Sequence, residues 1–389
     1  MMKKISLPLQ LIIALTSVAL FGNLLNTNVI NFFYSISLVF KEFLGFLLPF
    51  IVFSFITTGI LSFKKNAPLV LGILLACIIL SNSIIAFFTY FVGITLLPFL
   101  AVTIDQSTLT ETKNLIPLFS IQLPTLIKSD LAMLFAVFTG ITLSFISFPF
   151  IQKSIEKLKS TVEIIMSKLF IPILPLYIFG FILEINHQGI FIQLFKTYGK
   201  AFALIIFLQI IVLFLIYFIA AGFKLTQTIN YIKTAIPSYL TAFGTMSSTA
   251  TIPVTVKCAE KNTGNPGLSA MASPILANIH LVGDAVSTPI LALITLFIFK
   301  GTSPDLAAYS VFVGYFCINM LAVAGIPGGG IIVMIPILKL ILGFDDVMIS
   351  IITTLYLLQD GLGTAGNVMG DGALMIIVNK ILKRFKITS

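Results

Sequence analysis

Four polar residues near the C-terminal end of this 389-residue chain are spaced for chemistry: Asp360, Thr364, Asn367 and Asp371. Steps of four, three and four place them on one stripe of a helix with ~3.6 residues per turn. The sequence around them is apolar, and Gly361, Gly363, Gly366, Gly370 and Gly372 let other backbones come close. An acid inside an apolar span costs ~2.5–3.5 kcal/mol on insertion scales, so it is by default a functional group. Two acids, an amide and a hydroxyl suit an ammonium group and a small hard cation, which takes oxygen ligands. The alternative is a polar seam between helices that holds no ligand. Two acids with no basic partner nearby argue for a ligand.

A third acid inside apolar sequence, Asp284, lies four residues after His280, and a helix would put both on one face. Such a pair can bind a proton, hold a cation or simply satisfy itself. The chain's single arginine is Arg384, and no lysine lies in the stripe. A site for a side-chain carboxylate would want a guanidinium or an ammonium, and none is at hand. Ser247 or Ser248 with His280 could be imagined as a nucleophile and base, but neither a His-Glu-x-x-His motif nor paired cysteines occur. An enzyme is therefore not expected. Cys77, Cys258 and Cys317 are too scattered for a disulfide framework or a metal cluster.

The elements that must carry these residues are membrane spans. Hydrophobic residues make up 58% of the chain and charged residues 10%, against roughly 25% charged in soluble domains. Apolar runs cover 11–25, 43–63, 69–100, 131–151, 201–223 and 290–299, several of them long enough to cross a hydrocarbon core as a helix. Met1-Met2-Lys3-Lys4 precedes an apolar stretch too long for a signal peptide, which reads as the first span. The net charge of +9 comes from lysines beside spans, which points to topology and not to nucleic acid. Lys3, Lys4, Lys64, Lys65, Lys153, Lys157, Lys159, Lys224, Lys233 and Lys380 mark the cytoplasmic side, with both termini inside and 103–130 outside.

Two later segments are apolar but broken at their middles. Residues 227–262 contain Pro237, Ser247-Ser248-Thr249-Ala250-Thr251 and Pro253; residues 304–345 contain Ala324-Gly325-Ile326-Pro327-Gly328-Gly329-Gly330. Paired interrupted segments are the sequence pointer to a transporter's binding site. Two ordinary kinked spans are the plainer alternative.

The serine-rich segment, the glycine-rich segment and the Asp360 to Asp371 stripe, in that order, resemble the dicarboxylate/amino acid:cation symporters of the glutamate-transporter superfamily. That resemblance implies an all-α polytopic membrane protein with eight spans, two re-entrant hairpins and inverted repeats, working as an elevator-type homotrimer in a prokaryotic cytoplasmic membrane. It implies scaffold helices in 1–66 and 130–195, with transport-domain helices in 67–102 and 196–386. Within the latter lie the hairpins at 227–262 and 304–345, and helices at 265–300 and 346–384. By position, Asp360 would take a substrate amino group, Asn367 its carboxylate, and Ser248, Thr249 and Thr364 would add contacts. Asp371 and Asn367, with His280 beside them, would hold sodium or a proton, and Ala324, Gly325, Pro327, Gly328 and Gly330 would form the gate. Members that carry acidic substrates have an arginine where this chain has Gly363, and some have one where it has Met246. The family's Asn-Met-Asp-Gly-Thr segment appears here as His280-Leu281-Val282-Gly283-Asp284. The usual acid is thus Val282, which puts a second sodium site in doubt, and Asp284 is a new acid. The expectation is a cation-coupled symporter of a small amino acid or related carboxylate whose side chain is neutral, polar or cationic.

Overall fold

Without water to bond its N–H and C=O groups, an apolar backbone must satisfy itself, and a helix does so within one segment. The computed structural model describes residues 7–62, 68–100, 115–124, 127, 129–146, 148–165, 168–169, 171–187, 189, 191–320, 323 and 328–385, and among them it contains helices and no strand. In chain order these are α1 (Leu7–Phe21), α2 (Thr27–Ser62), α3 (Pro68–Leu100), α4 (Ser129–Phe145), α5 (Pro149–Ile165), α6 (Ile171–His187) and α7 (Phe191–Ala220). There follow α8 (Leu225–Thr245), α9 (Ser248–Thr263), α10 (Pro266–Ile279), α11 (Val282–Lys300), α12 (Leu306–Met320), α13 (Gly329–Leu340) and α14 (Asp346–Arg384).

Helix ends fall where local chemistry puts them. Pro266 opens α10 behind Asn265, whose side chain accepts from Leu268 N–H at 3.1 Å. Asp345 caps α14 in the same way, accepting from Met348 N–H at 2.9 Å. Gly264 and Gly301 end α9 and α11 with φ of 64° and 65°, the left-handed region that suits glycine. The expected span 131–151 stops at Phe145, and Pro149 starts α5 as a separate helix.

Among the described residues, five stretches are long and apolar enough to cross a membrane: Thr27–Thr58, Gly72–Leu100, Leu194–Ala220, Pro266–Lys300 and Asp346–Arg384. They divide by position in the molecule. In the most apolar 18-residue window of each stretch, 94% of the residues of Pro266–Lys300 and 78% of those of Asp346–Arg384 are buried, so both are interior, whereas the other three reach 33–36%. The outer helices expose large apolar side chains such as Ile84, Phe91, Phe207 and Ile210, which fits a surface facing hydrocarbon.

Packing follows from this. Helix α2 lies against α4, α5 and α6, and α1 against α6. Helix α11 is enclosed by α3, α7 and α14, while α14 also meets α8, α9 and α10. The helix with the polar stripe is therefore at the centre of the second group. Much of 103–130, Lys3, Lys4, Lys64 and Lys65 lie outside the described residues.

Candidate functional site

The stripe on α14 faces inward along its length. Asp360, Thr364, Asn367 and Asp371 are all buried, Asp371 completely. What meets it is an interruption in a helix. Between α10 and α11, His280 and Leu281 leave helical geometry, with φ/ψ of −105°/94° and −116°/67°. The first N–H groups of α11 consequently have no intrahelical acceptor, and Leu281 at its N-cap offers no side-chain oxygen. Asn367 supplies the cap from the neighbouring helix: its Oδ1 accepts from Gly283 N–H at 2.7 Å and from Asp284 N–H at 3.3 Å. A Cβ on Gly283 would collide with the Gly363 backbone, so glycine is needed for this approach.

Those two N–H groups fix which end of the Asn367 amide is oxygen. Its Nδ2 must then donate to Asp284, reaching Oδ2 at 3.1 Å. The Tyr356 hydroxyl meets the other oxygen, Oδ1, at 2.5 Å. One helical turn on, Asp360 Oδ1 accepts from Thr364 Oγ1 at 3.3 Å, and Oδ2 accepts from Gly328 N–H at 2.7 Å. Gly328 has φ 75° and immediately precedes α13. The glycine-rich segment is thereby tied to the acid expected to take an amino group.

Asp284, Asp360, Thr364 and Asn367 line one cavity, together with Ser248, Met246 and Tyr356. Its volume is about 20 Å³, the room of roughly one water molecule. An amino acid enters only if a wall moves. Gly330 belongs to that wall, and a Cβ there would run into the Tyr356 hydroxyl.

His280 does not pair with Asp284 as the spacing suggested, but lies beside Asp371. The break at His280–Leu281 removes it from the face of Asp284, so the four-residue spacing no longer joins them. Its Nδ1 lies 2.9 Å from Asp371 Oδ1 and its Nε2 lies 3.0 Å from Ser81 Oγ on α3. Asp371 Oδ2 is buried and has no partner among the described residues, nor has Asn82 Oδ1 beside Ser81. An unmet carboxylate oxygen fits a cation, whereas Asn367 Oδ1 is already occupied by two N–H groups.

The structure thus brings Ser248, Asp284, Asp360, Thr364 and Asn367 to one cavity, with Gly363 beside Asp284. Thr249 is exposed and does not line it. Ala324, Gly325 and Pro327 lie outside the described residues. Tyr356 and Ser81 were not anticipated from sequence. Tyr356 stands four residues before Asp360, in step with the stripe, and Ser81-Asn82-Ser83 is a polar triplet in an apolar span, so each carried a signal.

Comparison with known proteins identifies the family. The profile of the sodium:dicarboxylate symporter family matches residues 7–381. Neutral amino acid transporter A of Bos taurus is 32% identical over 181 residues, 45% of this chain and 33% of that protein. Excitatory amino acid transporter 3 of Bos taurus is 30% identical over 226 residues, 57% of this chain and 42% of that protein. Excitatory amino acid transporter 1 of Rattus norvegicus is 32% identical over 145 residues, 36% of this chain and 26% of that protein. The matched stretches thus span less than half the length of these curated relatives. With the profile match covering every residue of the cavity and of the His280–Asp371 pair, the chain belongs to the sodium:dicarboxylate symporter family, a family of transporters and not of enzymes.

Proposed function

We propose that this chain is a secondary active transporter that moves a small amino acid, or a related carboxylate, together with sodium. The side chain of its substrate is neutral, polar or cationic and not acidic. One observation carries the reading: Asp360 and Asp284 share one small cavity, and among the described residues no lysine or arginine lines it. A substrate ammonium replaces the Gly328 N–H on Asp360, and Asn367 turns its amino end from Asp284 to the substrate carboxylate. Because the Gly328 contact must yield, binding and movement of the glycine-rich segment are linked. A second carboxylate on the substrate would be placed against Asp284 with no cation to offset it.

Sodium is carried as a second substrate. Asp371 Oδ2 is the oxygen available to it, and Asn367 Oδ1 joins if its N–H contacts are released. Helices α1, α2, α4, α5 and α6 act as a fixed scaffold, probed by their mutual packing, while α3 and α7 to α14 move as the transport domain. A homotrimer in a prokaryotic cytoplasmic membrane, with both termini inside, completes the proposal. The names of the relatives, neutral and excitatory amino acid transporters, agree with an amino-acid substrate.

The His280–Asp371 pair favours a second reading, in which a proton replaces sodium. Uptake of labelled amino acids and dicarboxylates into proteoliposomes, with a sodium gradient, a pH gradient or neither, separates the two. Aspartate or glutamate outcompeting serine, alanine and lysine would refute the substrate claim. Equal uptake with sodium present or absent would refute sodium coupling.

A further inference from the structure

The position held by Gly363 opens a gap beside the cavity. A methyl group there would meet Asp284 Oδ1 at 3.6 Å and the Gln359 amide, both Nε2 and Oε1, at 3.7 Å. These are ordinary contact distances, so the gap accepts an atom without displacing a neighbour. Two kinds of polar group face it: a carboxylate and an amide.

Gln359 is the unexpected member. It is only 3% exposed, and neither its oxygen nor its nitrogen has a partner among the described residues. Buried amides without hydrogen bonds are rare in native structures and call for an explanation, an absent ligand being one. It stands on α14 one residue before Asp360, so its amide turns away from the main stripe and towards Gly363.

Charge decides what ligand would suit. The cavity holds Asp360 and Asp284, and none of its lining residues is Lys, Arg or His. The α-ammonium and α-carboxylate of an amino acid sum to zero. A neutral side chain therefore leaves the cavity with the net charge of both carboxylates, and Asp284 with no cation beside it. An amide side chain could satisfy Gln359 at both ends, yet it would leave Asp284 as it was. A side chain ending in a positively charged N–H donor satisfies both Asp284 and Gln359 Oε1, and cuts the excess from two negative charges to one.

We infer that Asp284 and Gln359, on either side of Gly363, form a side-chain subsite for an amino acid with a cationic side chain. This rests on the proposal that the cavity takes an amino acid. Asp360 holds the α-ammonium, and Asp284 with Gln359 Oε1 holds the ammonium or guanidinium at the other end of the substrate. Gly363 is the residue that leaves room for it.

The test uses the full chain in proteoliposomes and compares substrates that differ only in that charge. Lysine is set against norleucine, and arginine against citrulline, as competitors of the uptake of whichever labelled amino acid is carried. The expected result is at least a tenfold lower inhibitory concentration for lysine or arginine than for its neutral counterpart. Asp284→Asn is expected to reduce that preference to about threefold or less, and Gln359→Leu to weaken the cationic competitor several-fold. Norleucine and citrulline competing as well as lysine and arginine would overturn the subsite, and this comparison needs no variant to fold. An Asp284→Asn protein that keeps the full preference and changes only its sodium requirement would overturn it too. Transport of dicarboxylates with no competition from any amino acid would overturn the underlying proposal as well. Uptake of neutral amino acids with no cationic preference would overturn the subsite alone.

Discussion

Capping of α11 by Asn367 from across the helix interface is a strong claim of this structure about stability. Removing the amide in Asn367→Ala leaves two buried N–H donors, Gly283 and Asp284, without an acceptor and strips one donor from Asp284 Oδ2. A buried donor left unmet costs ~1–3 kcal/mol. The space vacated by the side chain joins a cavity of about 20 Å³, and water entering there would recover part of the loss. The net expectation is a loss of ~2 kcal/mol, or about 4–8 °C in melting temperature on the scale of mid-sized domains. Asn367→Asp separates the two roles of the amide. Its carboxylate still accepts from both N–H groups but confronts Asp284, so it too should melt lower. Adding Asp284→Asn to that variant restores a donor–acceptor pair with the roles exchanged, and should recover ~1–2 kcal/mol in the double-mutant cycle. The chain has no tryptophan, so melting in detergent is best followed by far-UV circular dichroism or by a thiol dye reporting buried Cys258. Asn367→Ala melting within about 1 °C of the parent, or a double variant no better than the sum of its parts, would refute the cap.

Gly283→Ala should cost ~1–3 kcal/mol by forcing α11 off the Gly363 backbone. Gly314→Ala, which meets nothing within 4 Å on α12, should be neutral or stabilise by about 0.5–1 kcal/mol; equal melting of the two would refute the close approach. Tyr356→Phe removes the hydroxyl from Asp284 Oδ1 and should lower uptake about tenfold, the equivalent of one hydrogen bond to a charged group; unchanged uptake would show that the contact is dispensable. Gly330→Ala places a methyl into the Tyr356 hydroxyl and should slow uptake while leaving expression intact; kinetics like those of the parent would argue against a close fit of α13 over the cavity. His280→Asn frees Asp371 Oδ1, so the sodium concentration for half-maximal uptake should fall; a rise would mean that the imidazole helps to bind the ion.

Much of the fold could be read from hydropathy, because burying backbone in lipid forces long apolar helices. The limits of that signal are physical. Residues 43–63 were expected as a span, yet α2 begins at Thr27. Its first turns contain Asn31, Ser35 and Ser37, which lower the apolar count but are buried against protein. Ser37 donates to Tyr177 O at 2.7 Å on α6, and Ser35 to Asn31 O at 2.6 Å within α2, so these hydroxyls find partners that hydropathy does not see. The expected span at 131–151 failed for the opposite reason: apolar sequence continues past Phe145, but the chain before Pro149 leaves helical geometry.

In the site, the stripe on α14 was legible because every member lies on one unbroken helix, where a period of ~3.6 residues governs what faces inward. His280 and Asp284 were not, because that period applies only while the helix continues, and it stops at His280–Leu281 without a proline or glycine at the break. The break has two consequences that sequence spacing hides. It sends His280 to Asp371, and it leaves N–H groups at the start of α11 that only a residue from another helix can satisfy. Asn367 meets that need, and in doing so aims its amino end at Asp284. The departures from the family pattern at Gly363 and Asp284 are consequently one change in three dimensions. Where the resemblance implies a cationic side chain on α14, this chain has Gly363, and the carboxylate of Asp284 on α11 lies 3.6 Å from the place a Cβ would occupy. Under the proposed function the sign of the side-chain pocket is reversed, while the stripe assigned to the rest of the substrate is retained.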